Sequence, residues 1–466
     1  MTGRRVTISG AVVLVAVLAA ALPRVLLGSD DDGPVQKMIQ RTCAGCHRFE
    51  GQPESRFNMK APDLMWAGSK YQRAWVLDWL TGKEEPLYPK GYRWDMTQSP
   101  TKHMTVSEVD AQRIADYFER HHIDTRVAVG AFDLSTFSAM EAEFGRKIYH
   151  DHACIGCHQI EERGKIIGGP QSTSLVNAGR RYKVDWLYRF GMNPQDFNPH
   201  SGEFVADASA LGLRYVIGFV AIQGLPEFRF AEPWKSEEFR HASVDRGRQL
   251  YKEYCMQCHG ATGRGDGPAA SGLDPKPAIH ANIAFEKLPQ DYLYNVIYYG
   301  GRSVGKSAAM PYWGLTIGQQ GVADVMAYLS VTFKGVPEMA GTAPSGACVQ
   351  PRKTVAAPAD VLQTINPLPT GAETIQSGKT LFLKTAQPLA CAFCHGEKGD
   401  GKGMMGAGLV PPPRNFTCRE MMKDIPDGQL YWIIKNGSPG TGMPPFASLP
   451  DEQVWQLIGY IRSLAK

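Results

Sequence analysis

The sequence of 466 residues lacks several features that would assign it to common functional classes. Its formal net charge is only +4, so no excess of basic residues suggests a nucleic-acid partner. The cysteine pairs are not surrounded by alternating strand and helix patterns, which argues against a thioredoxin-like redox protein. No cysteine lies near the N-terminus, which argues against a lipoprotein. Of the ten cysteines, only Cys348 and Cys418 lie outside one repeated motif.

The other cysteines form four copies of a five-residue motif, Cys-x-x-Cys-His. Chance predicts about 0.005 copies in a chain of this composition. Successive first cysteines are 111, 101 and 136 residues apart, which suggests one motif per small domain. Zinc sites also use such cysteine pairs, but they do not require a histidine after each second cysteine. The copies are Cys43, Cys46 and His47; Cys154, Cys157 and His158; Cys255, Cys258 and His259; and Cys391, Cys394 and His395.

Cys-x-x-Cys-His is the attachment signature of c-type haem. Two thiols at this spacing form thioethers to the vinyl groups of one porphyrin, and the adjacent histidine is the proximal ligand of the iron. The sequence therefore predicts four covalently bound haem c groups, with the eight cysteines binding the porphyrins and the four histidines binding iron.

The N-terminus predicts export from the cytoplasm. Basic residues are followed by an apolar stretch from Val6 to Leu27 and then by an acidic spacer, the pattern of an export signal. The stretch is long enough to span a bilayer, although Pro23 and Arg24 interrupt it. Cleavage after Ala21 stays open, and an uncleaved anchor is the favoured interpretation. The charge pattern places the rest of the chain on the extracytoplasmic side, where disulfides persist.

Two helical stretches accompany the motifs. Before three of them, a glycine is followed by an aromatic residue four positions later, and after every motif an amphipathic stretch ends in an aromatic residue. With these helical stretches, each unit resembles a class I cytochrome c domain, in which an N-terminal helix crosses a C-terminal helix. The resemblance covers residues 35–340 and 371–466. The glycine–aromatic pairs are Gly145 and Tyr149, Gly247 and Tyr251, and Gly378 and Phe382; the later aromatics are Tyr117, Phe219, Tyr328 and Tyr460.

The resemblance implies an all-α chain of four tandem domains. We name them domain 1 (35–128), domain 2 (129–236), domain 3 (237–340) and domain 4 (371–466). Residues 1–34 are the signal or anchor with its spacer, and residues 341–370, rich in Pro, Ala and Thr, form a linker. Domains 1 and 2 share an inner aromatic segment, whereas domains 3 and 4 share glycine-rich loops after the motif. The glycines are expected to let the backbone pass close to the haem edge.

The family resemblance also implies that a proline carbonyl accepts the N–H of each proximal imidazole. The prolines that match are Pro62, Pro170, Pro277 and Pro412. Outside the haem motifs, an even number of cysteines in an exported protein favours a disulfide between Cys348 and Cys418.

The sixth iron ligand decides between electron transfer and catalysis, because an open iron can bind a substrate. In domains 3 and 4, Met-Pro sequences match the distal loop of the family and predict Met310 and Met443 as ligands. They precede helix caps predicted at Thr316 and Ser448, and the same spacing predicts caps at Thr105 and Asp207 in domains 1 and 2.

Domains 1 and 2 have no methionine at the position that this spacing requires. In domain 2 the position is Ser201, and the adjacent His200 is the predicted ligand; an open iron or Met192 are the alternatives. In domain 1 His103 is favoured, with Met96 and Met104 as alternatives.

These features predict a tetrahaem cytochrome that passes single electrons between respiratory-chain donors and acceptors. The expected partners are redox proteins, among them a membrane respiratory complex. A haem enzyme with an open iron in domain 1 or 2 is the alternative function. A third is an electron-conduit subunit of a larger complex. No nucleic-acid partner is expected, and the donor, the acceptor and the direction of flow stay open.

Overall fold

The computed structural model describes residues 32–52, 61–84, 103–201, 203, 209–335, 354–387, 389–409, 411–439 and 441–465. Two compact units form: one comprises Met1–Phe132 and Ile148–Pro226, the other Asp133–Lys147 and Glu227–Lys466. Both are mostly helical, as predicted, and the four-domain division stays a prediction whose names we keep. The predicted anchor lies outside the described residues; within the described ranges, no helix is long and apolar enough to cross a membrane.

The first unit contains domain 1 and most of domain 2. Its one described hairpin pairs β1 (Ile160–Glu162) with β2 (Lys165–Ile167) in antiparallel register. Ser107 caps α4 (Glu108–His121) and Ser209 caps α8 (Ala210–Ala221), each by accepting a hydrogen bond from a backbone N–H group. The helices are α1 (Gly33–Thr42), α2 (Ala67–Lys70), α3 (Arg73–Leu80), α4 (Glu108–His121), the end of α5 (Ala139–Asp151), α6 (Ala178–Arg181), α7 (Val184–Met192) and α8 (Ala210–Ala221).

The second unit contains domains 3 and 4. Each has a core of buried aliphatic and aromatic side chains between its first and last long helices. Besides the start of α5, the helices are α9 (Glu237–Arg240), α10 (Val244–Leu250), α11 (Met256–His259), α12 (Gln290–Tyr298), α13 (Gly314–Thr332), α14 (Ala359–Leu362), α15 (Ala372–Thr380), α16 (Ala392–His395), α17 (Arg419–Met422), α18 (Asp427–Asn436) and α19 (Asp451–Leu464).

Glycine determines where these helices cross. A Cβ atom at Gly247 of α10 would lie 2.0 Å from the backbone oxygen of Asp324 in α13. In domain 4, a Cβ at Gly378 of α15 would lie 2.0 Å from the backbone oxygen of Gln456 in α19. Only glycine permits backbones to approach this closely. The predicted crossing of the first and last helices is therefore confirmed in domains 3 and 4.

The predicted caps of the last helices in domains 1 and 4 are wrong by two residues. Helix α4 is capped by Ser107 rather than Thr105, because the Ser107 hydroxyl accepts from the Asp110 N–H at 3.1 Å. Helix α19 follows Pro450 rather than Ser448, since the fixed backbone angle of proline suits a helix start.

The cap predicted in domain 3 is also wrong. Helix α13 already contains Thr316, and its helical backbone is interrupted at Gly318, where φ is 66°. Glycine adopts this left-handed conformation without a steric penalty, so the kink falls there. The cap predicted at Asp207 lies outside the described residues.

Candidate haem sites

In domains 1 and 2, each proximal histidine is held by a backbone carbonyl 15 residues further along the chain. The Nδ1 atom of His47 lies 2.8 Å from the Pro62 oxygen, as predicted. His158 Nδ1 instead lies 2.7 Å from the Thr173 oxygen, so the prediction of Pro170 is wrong. A carbonyl acceptor fixes the imidazole with its proton on Nδ1 and leaves Nε2 available to a metal.

In domains 3 and 4, the acceptor lies 19 residues beyond the histidine. His259 Nδ1 is 3.0 Å from the Ala278 oxygen, and His395 Nδ1 is 2.9 Å from the Arg414 oxygen. The predictions of Pro277 and Pro412 are therefore wrong: the accepting carbonyls lie one residue after Pro277 and two residues after Pro412. The path of the loop decides which carbonyl faces the ring, and the sequence motif does not specify that path. The two spacings support the division of the four units into two pairs.

A second ring packs against the proximal imidazole in domains 3 and 4. The His280 ring stacks on His259 with centroids 3.9 Å apart, and the Phe416 ring stacks on His395 at 4.3 Å. The hydroxyl of Tyr251 lies 3.1 Å from His280 Nδ1. These stacks restrict rotation of the proximal rings, and they were not among the predicted features. A shared spacing in the sequence could have indicated these stacks, because His280 and Phe416 each stand 21 residues after the histidine of their motif.

Burial makes several of the motif thiols poor candidates for disulfide-exchange chemistry. It raises the pKa of Cys255 to about 12 and that of Cys391 to about 12, and it also raises the pKa of Cys154. Redox-active cysteines have lowered pKa values, because the thiolate is the reactive form. The environments therefore disfavour the thioredoxin-like alternative.

The predicted ligands of domain 4 line a single cavity. It has a volume of about 370 Å³, and its wall includes Cys391, Cys394, His395 and Met443. Apolar side chains form most of the remaining wall. Pockets of a few hundred Å³ with apolar walls suit a cofactor of haem size.

Domain 3 contains a matching cavity. Its volume is about 410 Å³, and it is lined by Cys255, Cys258, His259 and Met310. In both domains the structure therefore brings together the predicted cysteines, the proximal histidine and the predicted methionine. These residues fit a covalently attached haem with one histidine and one methionine ligand.

In domain 1, the His103 ring lies near the proximal histidine. The ring centroids of His47 and His103 are 6.1 Å apart. A metal–imidazole bond is about 2.0–2.1 Å long, so two imidazoles sharing one metal have centroids roughly 6 Å apart. His103 Nδ1 lies 2.8 Å from the Met104 oxygen, and burial lowers the pKa of both histidines. Met104 is 47% exposed, and Met96 lies outside the described residues.

Domain 2 has a different arrangement. The Glu203 carboxylate lies 3.0 Å from Nε2 of His158, the nitrogen expected to bind iron. His200 is exposed, and its backbone N–H donates to Asn198 Oδ1 at 2.8 Å. Met192 is 49% exposed. Glu203, which no sequence pattern indicated, therefore lies against the proximal histidine, and His200 as the ligand stays a prediction.

An aromatic stack connects domains 1 and 2. Successive ring centroids are 5.0–5.6 Å apart and their planes are within 30° of parallel. Trp79 at one end lies 5.3 Å from the His103 ring. At the centre, Tyr71 and Tyr182 form an antiparallel backbone bridge. The stack, which the shared inner segments of the sequence supply, comprises Trp79, Trp75, Tyr71, Tyr182, Trp186 and Phe190.

Two tryptophans in this stack have buried indole N–H groups for which the described residues provide no hydrogen-bond acceptor. Nε1 of Trp75 and Nε1 of Trp186 have no partner among the residues that the structure describes. A buried donor without an acceptor costs about 1–3 kcal/mol, so such groups normally have a partner. The carboxylate of a haem propionate is an acceptor of the required kind, and the two equivalent positions therefore fit a haem in each domain.

Cys418 is disulfide-bonded and buried, as the cysteine count predicted. Its predicted partner, Cys348, lies outside the described residues. A disulfide is consistent with an oxidising compartment.

Comparison with known proteins shows that two segments of the second unit are similar to one protein family. The family model described as cytochrome c oxidase, cbb3-type, subunit III, matches residues 242–329 and again residues 373–461. Among solved structures, a chain of the reducing HAO-like protein complex of Kuenenia stuttgartiensis is 27% identical, over 48% of this chain and 97% of that chain, with a TM-score of 0.20. The two matched segments contain the third and fourth Cys-x-x-Cys-His motifs, and the match supports covalently bound haem c in both of them.

Proposed function

We propose that the protein is a tetrahaem cytochrome that relays single electrons between a donor and an acceptor on the extracytoplasmic side of a membrane. The observation that carries the proposal is the fourfold repetition of one motif whose histidine is oriented, in every copy, by a backbone carbonyl. A bound haem supplies a one-electron iron couple. The chain supplies the ligands, the burial and the surrounding charges.

The predicted sixth ligands divide the haems by potential. Met310 and Met443 line the cavities that contain His259 and His395, and a thioether ligand raises the potential of a haem. His103 is the proposed ligand in domain 1, supported by its 6.1 Å separation from His47. Imidazole stabilises ferric iron better than thioether, so electrons entering at domain 1 or 2 would run downhill to domains 3 and 4.

Domain 2 supports a second candidate function. His200 remains the ligand that the sequence predicts, but the Glu203 carboxylate lies beside the His158 nitrogen that would bind iron, which favours a carboxylate near a haem bound there. A carboxylate beside an open iron can exchange protons with a small molecule bound there. In this alternative the protein is an enzyme at domain 2, with the other haems supplying electrons.

The proposed partners are redox proteins and a membrane respiratory complex. The family model that matches domains 3 and 4 describes a subunit of an oxidase, which supports a role as an electron-conduit subunit. The N-terminal segment is proposed to hold the protein at the inner membrane.

The experiment that tests this function is intact-mass measurement of the denatured protein, followed by rapid mixing with a small one-electron reductant. Four covalently added haem masses and full, reversible reduction of all four are expected. Fewer than four haem masses, or a haem released by acid, would refute the tetrahaem assignment. Rapid and selective oxidation of one reduced haem by peroxide or another small molecule would favour the enzyme alternative.

A further inference from the structure

The cavities of domains 3 and 4 share a wall. Five residues line both cavities: Tyr292, Lys306, Leu409, Thr441 and Gly442. Two of them come from domain 3 and three from domain 4, within the same compact unit. The two candidate haem sites are therefore separated by a single layer of residues.

Lys306 is the one charged side chain among these five. Its Nζ donates a hydrogen bond to the backbone oxygen of Gly442 at 2.9 Å, next to the predicted ligand Met443. The lysine belongs to the chain segment that leads to Met310, the predicted ligand of the other haem. The ammonium is thus fixed by a bond across the shared wall, and it borders both cavities.

Lys306 is partly buried, and the residues that surround its charge in the wall are neutral. Tyr292 is 5% exposed, and burial raises the pKa of its hydroxyl, which therefore remains neutral. Leu409 is apolar, and Thr441 is neutral. Charges in such surroundings act over longer distances than charges on the surface, because water screens them less.

We propose that domains 3 and 4 form one two-haem module in which Lys306 is a shared positive charge that raises the potentials of both haems together. The inference rests on the proposed function, in particular on the haem ligands Met310 and Met443. Reduction removes one positive charge from an iron centre, so a fixed cation nearby favours the reduced state. A single cation between two sites acts on both in the same direction. Lys306 is a positioning and tuning residue; it is not an iron ligand.

The test is Lys306→Gln in the full holoprotein, measured by potentiometric titration with visible spectra. Glutamine removes the charge and keeps an N–H donor, on a side chain one atom shorter than that of lysine. Both methionine-ligated haems should become harder to reduce. At a fixed ambient potential, their reduced-to-oxidised ratios should fall roughly three- to tenfold; tenfold corresponds to 59 mV for one electron. Lys306→Arg, which keeps the charge, should retain most of the wild-type potentials.

Lys334→Gln is the matched control. Lys334 also lies in domain 3, but its side chain is 60% exposed and it lines neither cavity. Its loss removes the same charge from the molecule and should leave both potentials nearly unchanged. Equal shifts in the two variants would show a general charge effect and overturn the proposal.

Two further outcomes would overturn it. A shift confined to one haem, or no shift, would show that Lys306 does not act on both sites. Loss of the methionine-ligated spectrum in Lys306→Gln but not in Lys306→Arg would assign the residue to holding Gly442. If Met310 and Met443 are not iron ligands, the wild-type protein itself would lack two methionine-ligated haems. That result is distinct from any effect of the Lys306 variants.

Discussion

Replacing Gly378 with alanine is expected to destabilise the helix pair that encloses the haem site of domain 4. The added Cβ would lie 2.0 Å from the Gln456 backbone oxygen and 2.9 Å from the Tyr460 Cβ. Ordinary contacts between such atoms begin near 3.4 Å, so α15 and α19 must move apart. The obstructing oxygen belongs to a helix backbone, which cannot rotate away as a side chain could.

The size of the effect follows from two opposing contributions. Overpacking typically costs about 1–3 kcal/mol, and alanine recovers up to about 1 kcal/mol of helix propensity. We expect a net loss of about 1–2 kcal/mol in domain 4. Gly459→Ala in α19 is the matched control: its nearest neighbour, Thr374 Cγ2, would be 3.5 Å away, so the change should be neutral or stabilise by up to about 1 kcal/mol.

Hydrogen exchange measured by mass spectrometry on peptides of α19 suits this comparison, because several domains cannot be described by one unfolding transition. The loss predicted for Gly378→Ala corresponds to exchange roughly 5- to 30-fold faster than in the wild type. Unchanged exchange in this variant, or equal acceleration by Gly459→Ala, would refute the close helix crossing.

Three other predictions concern the ligands and the disulfide. His103→Met should raise the potential of the domain 1 haem by on the order of 0.1 V, measured by potentiometric titration, and leave the other potentials in place. His200→Ala should change the spectrum of the domain 2 haem if His200 is its ligand; if instead Glu203→Gln changes that spectrum and His200→Ala does not, the His200 assignment is wrong. Alkylation of the unreduced protein should label neither Cys348 nor Cys418, and breaking their disulfide should cost about 2–4 kcal/mol; two labelled thiols would contradict the pairing.

The sequence predicted best those parts of the sites whose geometry is local. Each Cys-x-x-Cys-His motif carries its own spacing, and Met310 and Met443 precede a helix in a recognisable loop. Both methionines line the cavities of their proximal histidines. The helix crossings were predictable for the same reason, because Gly247 and Tyr251 mark one face of a helix.

Features that depend on how distant segments meet could not be predicted. The carbonyl that accepts from His395 belongs to Arg414 rather than Pro412, because a loop of fixed length can still follow different paths. Glu203 reaches His158 from a loop that offered His200 as the more conventional ligand. Lys306 was unremarkable in sequence, since its position between two cavities arises only when domains 3 and 4 pack together.

The measurement that tests the central claim most directly is a potentiometric titration of the holoprotein, followed by visible and magnetic circular dichroism spectra. We predict four one-electron transitions. The two highest should belong to methionine-ligated haems, and a lower one to the histidine-ligated haem of domain 1. Fewer than four transitions, or methionine-ligated haems with the lowest potentials, would contradict an electron relay that ends in domains 3 and 4.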